Sequence, residues 1–93
     1  MNESAITGYV YDTYEEGLPG AFVTLEGLAE SITLETVTNA NGHYAFRGLS
    51  LGQFKVTASM TGFKTISQTK MLKLGETYEL DFELPVDSVS EVG

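Results

Sequence analysis

Cysteine is absent from the 93-residue chain, so it has no disulfide framework, no thiolate metal site and no cysteine nucleophile. That absence leaves the redox compartment open, because cysteine-free domains are also common outside the cytoplasm. Histidine occurs once, at His43. One imidazole cannot supply the three or four ligands of a zinc site, and without a recognisable partner it is not a Ser-His-Asp centre. His43 reads as a solvated residue just after a turn, and no cofactor is expected. Basic residues are scarce as well: five Lys and Arg stand against thirteen Asp and Glu, a formal net charge of −8. Such a surface is repelled by phosphate backbones and anionic lipid, which argues against nucleic acid and membrane-surface partners. No apolar run approaches the roughly 20 residues that cross a bilayer, so no direct membrane insertion is expected. Met1-Asn2-Glu3-Ser4 also lacks the basic start and apolar run of a secretory signal. Solubility is the first reading of the acidic balance.

What the chain does have is β-forming residues cut into short runs by glycines from Gly17 to Gly75, with period-two alternation in the clearest runs. Its length suits one domain. A first strand is predicted near 4–12, with Ile6, Gly8 and Val10 on one face and Thr7, Tyr9 and Tyr11 on the other. A turn over 13–19 leads to a second strand near 20–26, with Ala21, Val23 and Leu25 inward and Phe22, Thr24 and Glu26 outward. A third, near 31–38, carries Ile32, Leu34 and Val37, whose spacing breaks alternation and indicates a bulge or an edge position. Asn39-Ala40-Asn41-Gly42 predicts a hairpin into a fourth strand with Tyr44 and Phe46 on one side. A fifth near 53–60 buries Phe54, Val56 and Ala58. A sixth lies within 63–74, where Phe63 and Ile66 cannot share a face without an irregularity. The last alternates Tyr78, Leu80, Phe82 and Leu84 with Glu79, Asp81 and Glu83. The pattern stops at Pro85, so 1–84 reads as the domain and 85–93 as a polar tail or linker. The fold class expected is all-β: a seven-stranded, two-sheet, Greek-key-type sandwich with Val10, Val23, Phe46, Val56 and Phe82 sealed from water.

Three stretches can then be read together: Ile6-Thr7-Gly8-Tyr9-Val10-Tyr11-Asp12, Gly17-Leu18-Pro19-Gly20-Ala21-Phe22-Val23-Thr24-Leu25 and Thr38-Asn39-Ala40-Asn41-Gly42-His43-Tyr44-Ala45-Phe46. With Gly48-Leu49-Ser50-Leu51-Gly52-Gln53-Phe54, Thr61-Gly62-Phe63-Lys64 and Leu80-Asp81-Phe82-Glu83-Leu84, the chain resembles the carboxypeptidase regulatory-like domain over nearly its whole length. That family's fold is similar to the transthyretin or prealbumin sandwich. The family usually has Asp where Asn39 stands, which keeps the side-chain turn bonding and removes a charge. The resemblance implies an accessory module. Members occur as appendages to peptidases, in cell-surface adhesins and at the front of outer-membrane receptors, so function has to come from sites and not from the fold.

Few sites offer themselves. Asp12, Glu15, Glu16, Asn39 and Asn41 would supply oxygens to calcium if their loops shared one end of the sandwich, but they lack the dense alternating aspartates of a dedicated loop. Glu79, Asp81 and Glu83 stand about 6.8 Å apart along a strand, and on an open sheet face they read as a solvated ladder and not as a glycosidase pair. A Lys-Asn isopeptide lock needs lysine on an early strand and asparagine on the last. Here every lysine lies at or after Lys55, and the asparagines are Asn2, Asn39 and Asn41. Asn2-Glu3-Ser4 matches a glycosylation acceptor but is too short a signal to use.

The candidate interaction surface is Tyr9, Tyr11, Tyr14 and Phe22, aromatics that point away from the core or sit in the adjoining turn. The function expected is a non-catalytic structural or interaction module of a larger extracytoplasmic protein, with neighbouring domains of the parent chain as partners. Residues 84–92 look like the junction that follows such a domain in a TonB-dependent outer-membrane receptor. The alternative is a carbohydrate-binding or adhesive module taking a glycan or protein ligand on the exposed aromatics.

Overall fold

Short alternating runs interrupted by glycine and asparagine cannot make helices, and among the described residues there is none. The computed structural model describes residues 3–28, 31–50 and 52–87. In it the chain forms β1 (Ser4–Tyr11), β2 (Phe22–Gly27), β3 (Ile32–Val37), β4 (His43–Leu49), β5 (Gly52–Ser59), β6 (Ile66–Leu72), β7 (Thr77–Glu79) and β8 (Phe82–Glu83). One sheet has β1 at its centre, with β4 antiparallel on one side and β7 and β8 in succession, both parallel, on the other. The second sheet runs β3-β2-β5-β6, all antiparallel.

The inward residues of both sheets form a single core. Val10, Val23, Phe46, Val56 and Phe82, the five side chains expected to be sealed, are none of them more than 5% exposed. Tyr44 packs edge-on to Phe46, with ring centroids 5.9 Å apart, and tilted against Phe82. Aromatic pairs at these separations add to the stabilisation that burial alone provides.

The strand count is eight and not seven, because the last predicted strand is split at Leu80-Asp81. Gly8 makes the split possible: a β-carbon there would stand 2.0 Å from the Leu80 carbonyl oxygen, so only glycine lets that carbonyl turn under β1. There it accepts a hydrogen bond from the buried Tyr44 hydroxyl. Ladder bonding resumes on either side, where Leu80 N–H donates to Thr7 O and Leu84 N–H to Tyr11 O.

The Asn39–Gly42 segment also departs from the expected hairpin. It is a tight turn but not a hairpin between paired strands, since β3 pairs with β2 and β4 with β1. The expected turn chemistry is present: Asn39 Oδ1 accepts from Asn41 N–H and His43 N–H, and Gly42 has φ 84°. The flanks are pulled apart by their neighbours. Thr38 is held to the second sheet by its N–H to Ala21 O and its buried Oγ1, which donates to Leu18 O and accepts from Ala21 N–H. Gly42 O is claimed by Val10 N–H of the first sheet.

β3 is an edge strand in regular register with β2, so the edge reading holds and no bulge is present. Past the end of the alternation, Lys64 N–H donates to Pro85 O and Asp87 N–H to Gly62 O, so the chain stays attached to the domain through Asp87. Asn2, Leu51 and the tail from residue 88 lie outside the described residues.

Candidate functional site

The outer face of the sheet built on β1 carries Tyr9 and Tyr11 from β1, His43 from β4 and Glu83 from β8, as period-two geometry requires. The loop after β1 folds back over this face. Asp12 Oδ1 accepts from Tyr14 N–H at 2.8 Å and Glu16 N–H at 2.9 Å, and Glu15 takes φ 67°. That is a sparsely populated conformation for a non-glycine residue, fixed here by Glu15 N–H to Asp12 O and Asp12 N–H to Glu16 O.

Gly17 then packs on the turn between β3 and β4, where a β-carbon would lie 2.2 Å from Asn41 O. The result is an open groove of about 500 Å³ lined by Tyr9, Tyr11, Thr13, Glu15, Gly17, Asn41, Asp81 and Glu83. Its floor is aromatic, it carries three carboxylates, and no lysine or arginine is among the described residues that line it.

The four aromatics singled out by sequence do not form one surface. Tyr9, 42% exposed, and Tyr11 line the groove. Tyr14 is 82% exposed on the loop but does not line it. Phe22 is exposed on the other sheet, where it lines a separate depression with Gly20, Ser59, Met60 and Thr61. β1 and β2 belong to different sheets, so an outward residue on one is turned away from an outward residue on the other.

Sequence reasoning missed Glu15, Asn41, Asp81 and Glu83 as companions of the tyrosines. Glu83 and Asp81 come to the tyrosines through the pairing of β8 with β1 and the Tyr9 N–H bond, and Glu15 and Asn41 through the loop-on-turn contact at Gly17, neither of them visible to local pattern.

His43 is half-buried and not simply solvated; its ring meets that of Tyr9 edge-on at 4.9 Å between centroids. Asp81 does not belong to a plain solvated ladder either. Its Oδ1 accepts from Tyr9 N–H at 2.9 Å, replacing the backbone acceptor lost at the split, and its carbonyl accepts from Gln68 Nε2. Burial, and then the nearby Asp81 charge, push the Tyr44 phenol well above its ordinary range. The loops carrying Asp12 and Asn41 do share one end of the sandwich, where Asp12 Oδ1 and Asn39 Oδ1 each accept two turn hydrogen bonds. Among the described residues no three His, Cys, Asp or Glu side chains are grouped so as to hold a metal ion.

A model of the carboxypeptidase regulatory-like domain matches residues 5–85. No curated protein matches the chain. Among solved structures, the Bacillus anthracis TIE protein is similar with a TM-score of 0.78 at 17% identity, over 91% of this chain and 17% of that one. The major pilin subunit BcpA of Bacillus cereus, in its D312A form, aligns with a TM-score of 0.75 at 17% identity, over 88% of this chain and 28% of the pilin. Catechol 1,2-dioxygenase from Acinetobacter sp. ADP1 aligns with a TM-score of 0.72 at 10% identity, over 91% of this chain and 53% of the enzyme. This chain thus spans from about a sixth to about half of these three proteins. At such identities the likeness is one of fold.

Proposed function

The chain belongs to the carboxypeptidase regulatory-like family, and from that premise we propose that it is a non-catalytic module acting as an axial spacer within a longer extracytoplasmic protein. One observation carries the reading. β1 and the β7–β8 pair lie side by side and run parallel, with Ala5 opposite Thr77 and Tyr11 opposite Glu83. The chain therefore enters the sandwich at the Ser4 pole and reaches Glu83 at the opposite pole, so flanking segments are held apart along the strand direction.

Tension applied through those ends loads the bonds between β1 and β7–β8 together, in shear, because ladder bonds lie across the strands. Tension between Ser4 and Ser50, which lie at one pole beside the Ser4–Leu49 pair, would instead peel β1 from β4 bond by bond. Single-molecule pulling through residues 3 and 87 is expected to unfold the domain at several times the force needed through residues 3 and 50. Equal forces would remove the spacer reading.

The pilin subunit among the similar structures supports the placement outside the cytoplasm and the absence of chemistry. The dioxygenase likeness brings no reaction with it, at 10% identity. Assignment to the N-terminal extension of a TonB-dependent receptor rests on residues 84–92 alone, and the residues that follow Gly93 in the parent protein test it. Carbohydrate binding on four aromatics is reduced to Tyr9 and Tyr11, in a groove whose charge suits a different ligand.

A further inference from the structure

The geometry points to the groove over Tyr9 and Tyr11 as a docking site for a basic segment of a partner protein, an extended stretch presenting lysine or arginine. The inference is independent of the spacer reading, which concerns the ends of the chain and not this face.

Charge complementarity carries it. Glu15, Asp81 and Glu83 line one groove without a basic neighbour among its lining residues, in a molecule of net charge −8. Carboxylates gathered in a concave site focus a negative potential that concentrates cations. The floor adds a second attraction, because an ammonium or guanidinium lying on a tyrosine face is drawn to its ring electrons, and a long aliphatic stem covers the exposed edge of Tyr9. Lys70 makes this kind of contact inside the same domain, with Nζ 4.9 Å from the centre of the Tyr78 ring. Thr13 and Asn41, which also line the groove, offer the hydroxyl and amide that a peptide backbone needs for hydrogen bonding. A neutral glycan would use the rings and the amide but gain nothing from the three charges. A groove of about 500 Å³ accommodates one or two long side chains, a size typical of ligand sites.

The test titrates the labelled domain with a capped six-residue peptide alternating lysine and glycine, its glutamate counterpart and a neutral hexasaccharide, following backbone amides by NMR. The lysine peptide is expected to move the amides of Tyr9, Tyr11, Glu15 and Glu83, and the other two probes to leave them in place. Glu15→Gln with Glu83→Gln is expected to weaken binding about tenfold with thermal unfolding unchanged. Glu26→Gln with Glu35→Gln, the same charge loss on the outer face of the other sheet, is expected to leave affinity as it was. Asp81 is left intact because it holds Tyr9 N–H. Equal weakening in both double variants would mean a diffuse field and would overturn the proposal. So would silence of the groove amides at millimolar lysine peptide, or a response to the hexasaccharide alone.

Discussion

At Gly8 a single hydrogen atom decides whether the last strand can dock. A methyl group in its place would meet the Leu80 carbonyl oxygen at 2.0 Å, and the obstacle is backbone, which cannot rotate away. Gly8→Ala is expected to cost at least about 1–3 kcal/mol, as overpacking does, read by urea denaturation. The same carbonyl is served by Tyr44, so Tyr44→Phe strands a buried acceptor at an expected cost of about 1–3 kcal/mol. Tyr44 also sets a pH dependence. Its phenol ordinarily titrates at 10.0, and burial raises it in the folded state. The unfolded chain releases that proton first, so the stabilisation is complete below about pH 10 and is lost as the pH climbs toward the folded-state value. Denaturation midpoints between pH 8 and 11 should fall more steeply for the native sequence than for Tyr44→Phe; parallel slopes would place the titrating group elsewhere.

Among the elements, β3 is the exposed flank. It pairs with β2 alone and leaves Ile32, Leu34 and Val37 accessible, the kind of apolar edge that recruits a further strand. Val37→Lys is expected to slow aggregation under agitation while shifting stability by no more than about 0.5 kcal/mol; an unchanged rate would direct attention to another edge. The residues of β3 also explain which features could be read in advance. Ile32 and Leu34 face Gly27 and Leu25 on the inner side, whereas Val37 pairs with Phe22 on the outer face, so an apolar residue on the wrong face imitated a bulge. β6 was obscure for the opposite reason. Its inward positions are Ile66, Gln68, Lys70 and Leu72, two of them polar because they meet the Asp81 carbonyl and the Tyr78 ring. Phe63, which had disturbed the register, belongs to the preceding turn and bridges to Val86. Alternation along β1, β2, β5 and the last strand was plain because both sheets press those faces into one core. The split of the last strand at Leu80-Asp81 was not, since it depends on a glycine more than seventy residues away. The candidate site was half legible for the same reason: period two turned Tyr9 and Tyr11 outward, but strand pairing, which is non-local, decided that Phe22 would not join them.

For the molecule as a whole, charge is the dominant surface property. With an isoelectric point near 4.3, self-repulsion that keeps the domain dispersed at neutral pH vanishes on acidification. Solubility is expected to pass through a minimum close to that pH and to recover when the pH returns to 7; a flat profile would mean that charge does not govern dispersal. The arrangement around β1 has a temporal consequence. Within the domain translation delivers β1 first, yet one of its flanks is closed only by Thr77–Glu79 and Phe82–Glu83, the last of the domain's strands to be made. Contacts so distant in sequence are slow to form. On the ribosome, the earliest strand therefore waits longest for its neighbours, and a nascent chain halted before residue 77 would leave Ile6 and Val10 without their final cover.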